Sequence, residues 1–229
     1  LNTSVVNIVK RGKGVAVAVE HGSKKKTVAA DVLLVATGRR PNTDTLAVEK
    51  TGVKVNEDGF VHVNDCMETN VPGIWAIGDI AGKYLFTHSA NMEADVCAHN
   101  AFHPETKMKM NYLAMPHAVF ASPQIAGVGM TEQELKEQKI PYRVGKYEYI
   151  RTGMGKALED EDGFVKVLAD PVTKKILGCH IIGTDASTLI HEVIVAMRAG
   201  LTTENVVDAV HIHPALSEVV QRAFNSIEW

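Results

Sequence analysis

The sequence predicts a chain of two classes, α/β over its first half and α+β over its second, and three observations predict it. Two short runs, Asp31-Val-Leu-Leu-Val-Ala36 and Gly73-Ile-Trp-Ala-Ile77, are apolar almost throughout, the pattern of strands covered on both faces in a parallel sheet. Each runs into a glycine-containing turn, at Thr37-Gly38 and Gly78-Asp79, where such strands hand over to a loop or helix. From Tyr112 onward, alternating strand patterns are set apart from helical ones, which is the α+β arrangement.

The elements follow in order. Ser4 to Val9 and Val15 to Val19 alternate around Arg11-Gly12-Lys13-Gly14 and predict a β-hairpin, followed by a turn at Lys24 to Lys26. The apolar strand from Asp31 to Ala36 ends at Thr37-Gly-Arg-Arg-Pro-Asn42, a loop suited to a domain crossover. The Gly73 strand leads through Gly78-Asp79 to a helix from Thr87 to Asn100. Beyond Tyr112 the periodicity predicts strands at 126–129, 142–149, 163–169 and 175–182, and helices at 131–138, 186–199, 203–207 and 214–227.

Composition narrows the function classes. With 229 residues, 45% of them hydrophobic, the chain can bury a sizeable core in one or two domains. The net charge is -3, and no cluster of Lys and Arg exceeds Lys24-Lys25-Lys26. A nucleic-acid or anionic-membrane surface is therefore not expected. No apolar run reaches membrane-spanning length. Cys66, Cys97 and Cys179 are too few and too far apart for a disulfide framework, a zinc cluster or a redox pair, so a reducing cytoplasm is expected and no metal site. Gly12/Gly14, Gly127/Gly129 and Gly153/Gly155 each lack the third glycine of a dinucleotide fingerprint. The chain opens on Leu1 instead of Met, which suggests a fragment or a processed chain.

Three places could carry chemistry. Asp79, at the carboxyl end of a predicted strand, could accept hydrogen bonds from sugar or ribitol hydroxyls, or simply satisfy loop amides. The helix starting near Thr87 offers free N–H groups to a group that gains negative charge, although a plain amphipathic helix has the same periodicity. His213-Pro214 places a histidine at the expected N-cap of the last helix, with Glu218 in its first turns. A carboxylate on one ring nitrogen would fix the tautomer and suit the other to proton transfer with a thiol. A structural histidine is the plainer alternative, and His211 is equally titratable.

Four strings, Ala36-Thr-Gly-Arg-Arg-Pro-Asn42, Gly73-Ile-Trp-Ala-Ile-Gly-Asp79, Ser122-Pro-Gln-Ile-Ala-Gly-Val-Gly129 and His211-Ile-His-Pro-Ala-Leu-Ser-Glu218, occur in one order across essentially the whole chain. In that order the chain resembles the C-terminal half of the class I pyridine nucleotide-disulfide oxidoreductases, the group of dihydrolipoamide dehydrogenase and its relatives. The resemblance implies partial FAD- and NAD(P)-binding Rossmann-like segments before a dimerisation domain. Residues 1–40 would be the tail of the NAD(P) domain, 41–111 the returning FAD-domain segment and 112–229 the interface domain. It implies FAD and NAD or NADP as cofactors, with incomplete sites. Gly78 and Asp79 would lie at the FAD ribitol, and Phe86, Thr87 and His88 at the flavin pyrimidine. His213 would be the acid–base catalyst, reaching a partner subunit's thiol in a homodimer, with Glu218 orienting it, and His211 would be outside the catalytic place.

In this family NAD(P)H reduces FAD, FAD reduces a cysteine pair, and the thiolate exchanges with a disulfide. The cysteine pair and nucleotide loops would lie upstream, so the isolated chain is expected to be inactive. Leu216 is as in dihydrolipoamide dehydrogenase, which oxidises dihydrolipoamide with NAD, and the chain lacks the terminal cysteine pair of mercuric reductase. Ala215 departs from the usual Thr and, with Ser89-Ala-Asn91, looks like mycothione reductase. The substrate is thus a small-molecule or lipoyl disulfide. Two other classes compete: a non-catalytic dimerisation module of the same fold, and a non-flavin binding protein in which Asp79 is only a turn residue.

Overall fold

The computed structural model describes residues 2–229. The chain divides into two compact units: the first runs to Asn64 and includes Glu68–Lys83, and the second includes Asp65–Met67 and Tyr84–Trp229.

The first unit is built on β1 (Ser4–Arg11), β2 (Gly14–His21) and β3 (Lys24–Ala30), an antiparallel sheet in that order. The expected hairpin is present, but Lys24 to Lys26 is not a turn. Gly22, with φ 57°, lets Gly22-Ser23 reverse the chain in two residues, so Lys24 already pairs with His21 and the lysines open a third strand. The sheet covers itself thinly, since β1 and β3 are exposed throughout and only Ala16 and Val17 of β2 are buried.

Neither predicted parallel strand forms. Residues 31–36 carry no ladder, and Val32 and Leu34 are 83% and 87% exposed. A strand covered on both faces takes its hydrogen bonds and its cover from neighbours, and none pairs with this run among the described residues. The Gly73–Ile77 run makes one isolated bridge, Trp75 to Glu68, and the Ile74 carbonyl accepts from the Thr69 N–H (3.0 Å) and hydroxyl (2.9 Å). A short helix, α1 (Thr43–Leu46), completes the regular structure of this unit apart from single 3-10 turns.

The second unit opens with α2 (Thr87–Phe102). Its face carries a fully buried carboxylate, Glu93, which accepts from the Tyr112 hydroxyl at 2.8 Å. The chain then lays down β4 (Pro116–Val119), β5 (Gln124–Gly129), α3 (Glu132–Glu137), β6 (Arg143–Glu148), α4 (Gly153–Ala157), β7 (Phe164–Ala169), β8 (Ile176–Gly183), α5 (Ala186–Arg198), α6 (Thr203–Asp208) and α7 (Glu218–Asn225). Five antiparallel strands form a sheet in the order β4-β5-β8-β7-β6. β4 and α4 were not expected, and the other strands and helices of this unit lie within a few residues of their predicted bounds except at α7.

The period of two decides the two faces of this sheet. On one, Ala126, Val128, Val165, Val167, Cys179 and Ile181 meet α5 and α7 in the core. On the other, His117, Gly127, His180, Lys166 and Lys146 pair in turn, one residue from each strand. α3 covers part of that face. It is capped by the reciprocal Thr131/Glu134 bonds, and Glu132 pairs with Lys166 and, at 2.7 Å, with Lys136.

Candidate active site

The last two helices bring His213 and Glu218 together. Helix α7 starts at Glu218 with Ser217 as N-cap, four residues later than the periodicity predicts. His213 is therefore not the cap. Its bond to Pro214 is cis, and residues 213–217 form a bend and turn that return the chain to the helix. His213 Nδ1 lies 3.0 and 3.1 Å from the two Glu218 oxygens, and Glu218 Oε2 also accepts the Ala215 N–H at 3.2 Å.

These distances set the chemistry. An ionised carboxylate only accepts, so Nδ1 carries the hydrogen and donates it, which leaves Nε2 as the lone-pair nitrogen. The histidine side chain is 73% exposed while that of Glu218 is 12% exposed, so the ring presents Nε2 outward from a covered anchor. The hydrogen bond from His213, with lesser help from the Ala215 N–H and the Arg222 charge, holds the Glu218 carboxyl below its usual range. Proton uptake at Nε2 would then produce an imidazolium already facing an anion.

The other expected residues are placed less simply. Asp79 lies in a 3-10 turn, Gly78–Ala81, and pairs with Arg39, with both side chains about half exposed. It lines a cleft of about 620 Å³ with Arg39, Arg40, Asn42 and Thr45. The Arg39 contact uses Oδ2, and Oδ1 accepts from no partner among the described residues, so the carboxylate retains capacity for a hydroxyl. Phe86 is the N-cap of α2 and gives it no side-chain cap, which fits a helix whose first amides serve another group. The His88 ring is already occupied: Nε2 donates to the Pro116 carbonyl at 2.9 Å and the ring stacks on Phe86. Only backbone N–H groups there fit an anionic ligand.

Several neighbours escaped sequence reasoning. Arg39 stands within the Thr-Gly-Arg string, but its pairing with a residue 40 positions away has no local signal. Gly153 at the start of α4 borders the imidazole, because a methyl placed on it would lie 3.4 Å from His213 Cε1. His211 is not beside the exposed ring at all, since its side chain is packed at 8% exposure against Glu192 of α5.

Known proteins match along both units. Residues 1–94 match the family profile described as pyridine nucleotide-disulphide oxidoreductase, and residues 115–224 match its dimerisation domain. Dihydrolipoyl dehydrogenase 1, mitochondrial, of Arabidopsis thaliana is 37% identical over 97% of this chain and 44% of its own length. Leghemoglobin reductase of Glycine max is 36% identical over 97% of this chain and 43% of its own length. The crystal structure of an HOCl-induced flavoprotein disulfide reductase of Escherichia coli, as its Cu(II) complex, superposes with a TM-score of 0.86 at 29% identity. It covers 97% of this chain and 49% of its own. The chain thus spans about half the length of these relatives.

Proposed function

Since this chain belongs to the pyridine nucleotide-disulphide oxidoreductases, we propose that it is the C-terminal portion of an FAD-dependent NAD(P)H:disulfide oxidoreductase acting as a homodimer. Its three parts would be residues 1–40 from the nucleotide domain, 41–111 from the FAD domain and 112–229 as the interface domain. The observation that carries the reading is the His213–Glu218 hydrogen bond, with no partner on Nε2 among the described residues, inside the stretch that matches the dimerisation domain.

On this reading His213 takes the proton of a partner subunit's thiol on Nε2 and later returns it to the departing thiolate. Glu218 keeps Nδ1–H in place and faces the cation that forms between the two steps. Asp79 would hold a ribitol hydroxyl. The N–H groups at Phe86, Thr87 and His88 would face the end of the flavin that gains negative charge. FAD, when bound, supplies the passage of electrons between nicotinamide and a cysteine pair.

Among substrates, a dihydrolipoamide dehydrogenase that uses NAD is favoured by the 35% to 42% identity to proteins of that name. Ala215 and Ser89-Ala-Asn91 support the second choice, a mycothione reductase, with a glutathione-type reductase the further alternative. In the whole protein, His213→Gln should lower kcat by about 10²–10⁴-fold with flavin retained, and Asp79→Ala should weaken flavin retention through gel filtration. Full turnover by the first variant would remove the proposed role. Steady-state rates with dihydrolipoamide and NAD against mycothiol or glutathione disulfide and NADPH choose the substrate.

A further inference from the structure

The loop that presents His213 is tied to the core through a second carboxylate that the proposed chemistry does not use. His211 Nδ1 lies 2.9 Å from the Ala209 carbonyl, and Nε2 lies 3.0 Å from Glu192 Oε2 on α5. A carbonyl oxygen only accepts, so Nδ1 carries a hydrogen. A bond between Nε2 and the carboxyl then requires one more proton, on the ring or on the oxygen. Glu192 has no other hold, since Oε1 is buried without a partner among the described residues. Burial pushes its carboxyl up and His211 draws it back down. The other ionisable group facing it, Cys179 of β8, is fully buried, and its thiol is pushed far up.

From the opposite side, Gln221 of α7 donates its amide to the Val207 and Ala209 carbonyls at 3.0 and 2.9 Å. The segment entering the catalytic loop is therefore held by α5 through Glu192 and by α7 through Gln221. Two residues later the exposed ring of His213 is tethered, among the described residues, by Glu218 alone.

We infer that His211 and Glu192 form a positioning pair, fixing the backbone from which His213 projects so that its Nδ1 stays on Glu218 and its Nε2 stays clear. The inference rests on the reading of His213 as the acid–base group. Neither member of the pair touches reacting atoms, and the His211 side chain, at 8% exposure, is no substitute base.

The test uses the whole protein, with kinetics and ¹⁵N-histidine side-chain spectra on the same samples. Glu192→Ala and His211→Asn lose the Glu192 contact. Glu192→Gln retains it, because its amide can donate to a neutral His211 Nε2. His211→Gln places an amide nitrogen where Nε2 was. The pair predicts that Glu192→Ala and His211→Asn lower kcat about 10- to 100-fold with KM nearly unchanged, and shift the His213 Nδ1 resonance. Glu192→Gln and His211→Gln should recover most of both signals. Unchanged kcat and His213 resonance in Glu192→Ala and His211→Asn overturn the pair, as does a Glu192→Gln variant as damaged as Glu192→Ala. Should the disruptive variants not fold, the two conservative ones decide alone, since the pair requires each to keep the His213 resonance near wild type. A wild type that performs no disulfide exchange, yet whose His213 resonance moves in these variants, would remove the proposed function and leave the positioning pair standing.

Discussion

At the scale of single residues, the carboxylates of the second unit carry the pH dependence. Glu218 is held below its usual range in the folded chain, so its contribution to stability is present above the ordinary carboxylate range and disappears as pH falls through the lowered value. Glu218→Gln should therefore lower Tm at neutral pH, and the gap to wild type should close in acid, measured by thermal melts in a pH series. A gap that persists undiminished through the acid range would show that packing rather than charge holds the residue. The His213/Glu218 pair was legible because both residues lie within one short string. His211 looked like an equivalent neighbour, and only the fold shows that its partner is Glu192, 19 residues upstream on another helix. The Arg39 contact with Asp79 was illegible for the same reason.

Among the elements, those of the second unit were legible because each encodes its own burial. Strands β7 and β8 largely alternate, α5 repeats its apolar residues every three or four positions, and α3 carries its own capping box. The runs at 31–36 and 73–77 misled for the opposite reason, since continuous apolar sequence describes a strand only where neighbours exist to pair with it. Glu132 ties α3 to β7 through Lys166, to its own helix through Lys136 and to Tyr142, and these bonds push its carboxyl down to about 2. Its support is present above the ordinary carboxylate range and lost as pH falls toward 2. Glu132→Gln should accordingly flatten the acid limb of the stability curve between those limits, read by urea midpoints. Helix α7 rests on β6 at Gly145, where an added methyl would collide with the Ala223 carbonyl. Gly145→Ala should cost about 1–3 kcal/mol by pushing the last turn of α7 off the sheet, seen as a lower denaturant midpoint.

For the whole chain, the family was readable from four ordered strings, while the state of the first unit was not, because its continuous apolar runs find no pairing strand among the described residues. Val32 and Leu34 present apolar side chains in an unpaired segment, the kind of edge that recruits other chains. Leu34→Lys should reduce light scattering by the 229-residue chain at high concentration. No reduction would place the association elsewhere. Among the described residues no helix is long and apolar enough to cross a membrane.

The row from His117 through Gly127, His180 and Lys166 to Lys146 has a bearing on assembly as well as on the finished sheet. Since neighbouring positions on a strand face opposite ways, a slip of one residue in β7 or β8 would drive an ammonium or imidazole into the space of Val167 or Cys179. β7 and β8 would each carry that penalty, whereas β5, whose member of the row is Gly127, would not. His180 and Lys166 thus act as a proofreading device for the two central strands, keeping their polar side chains out of the space that Val167 and Cys179 fill.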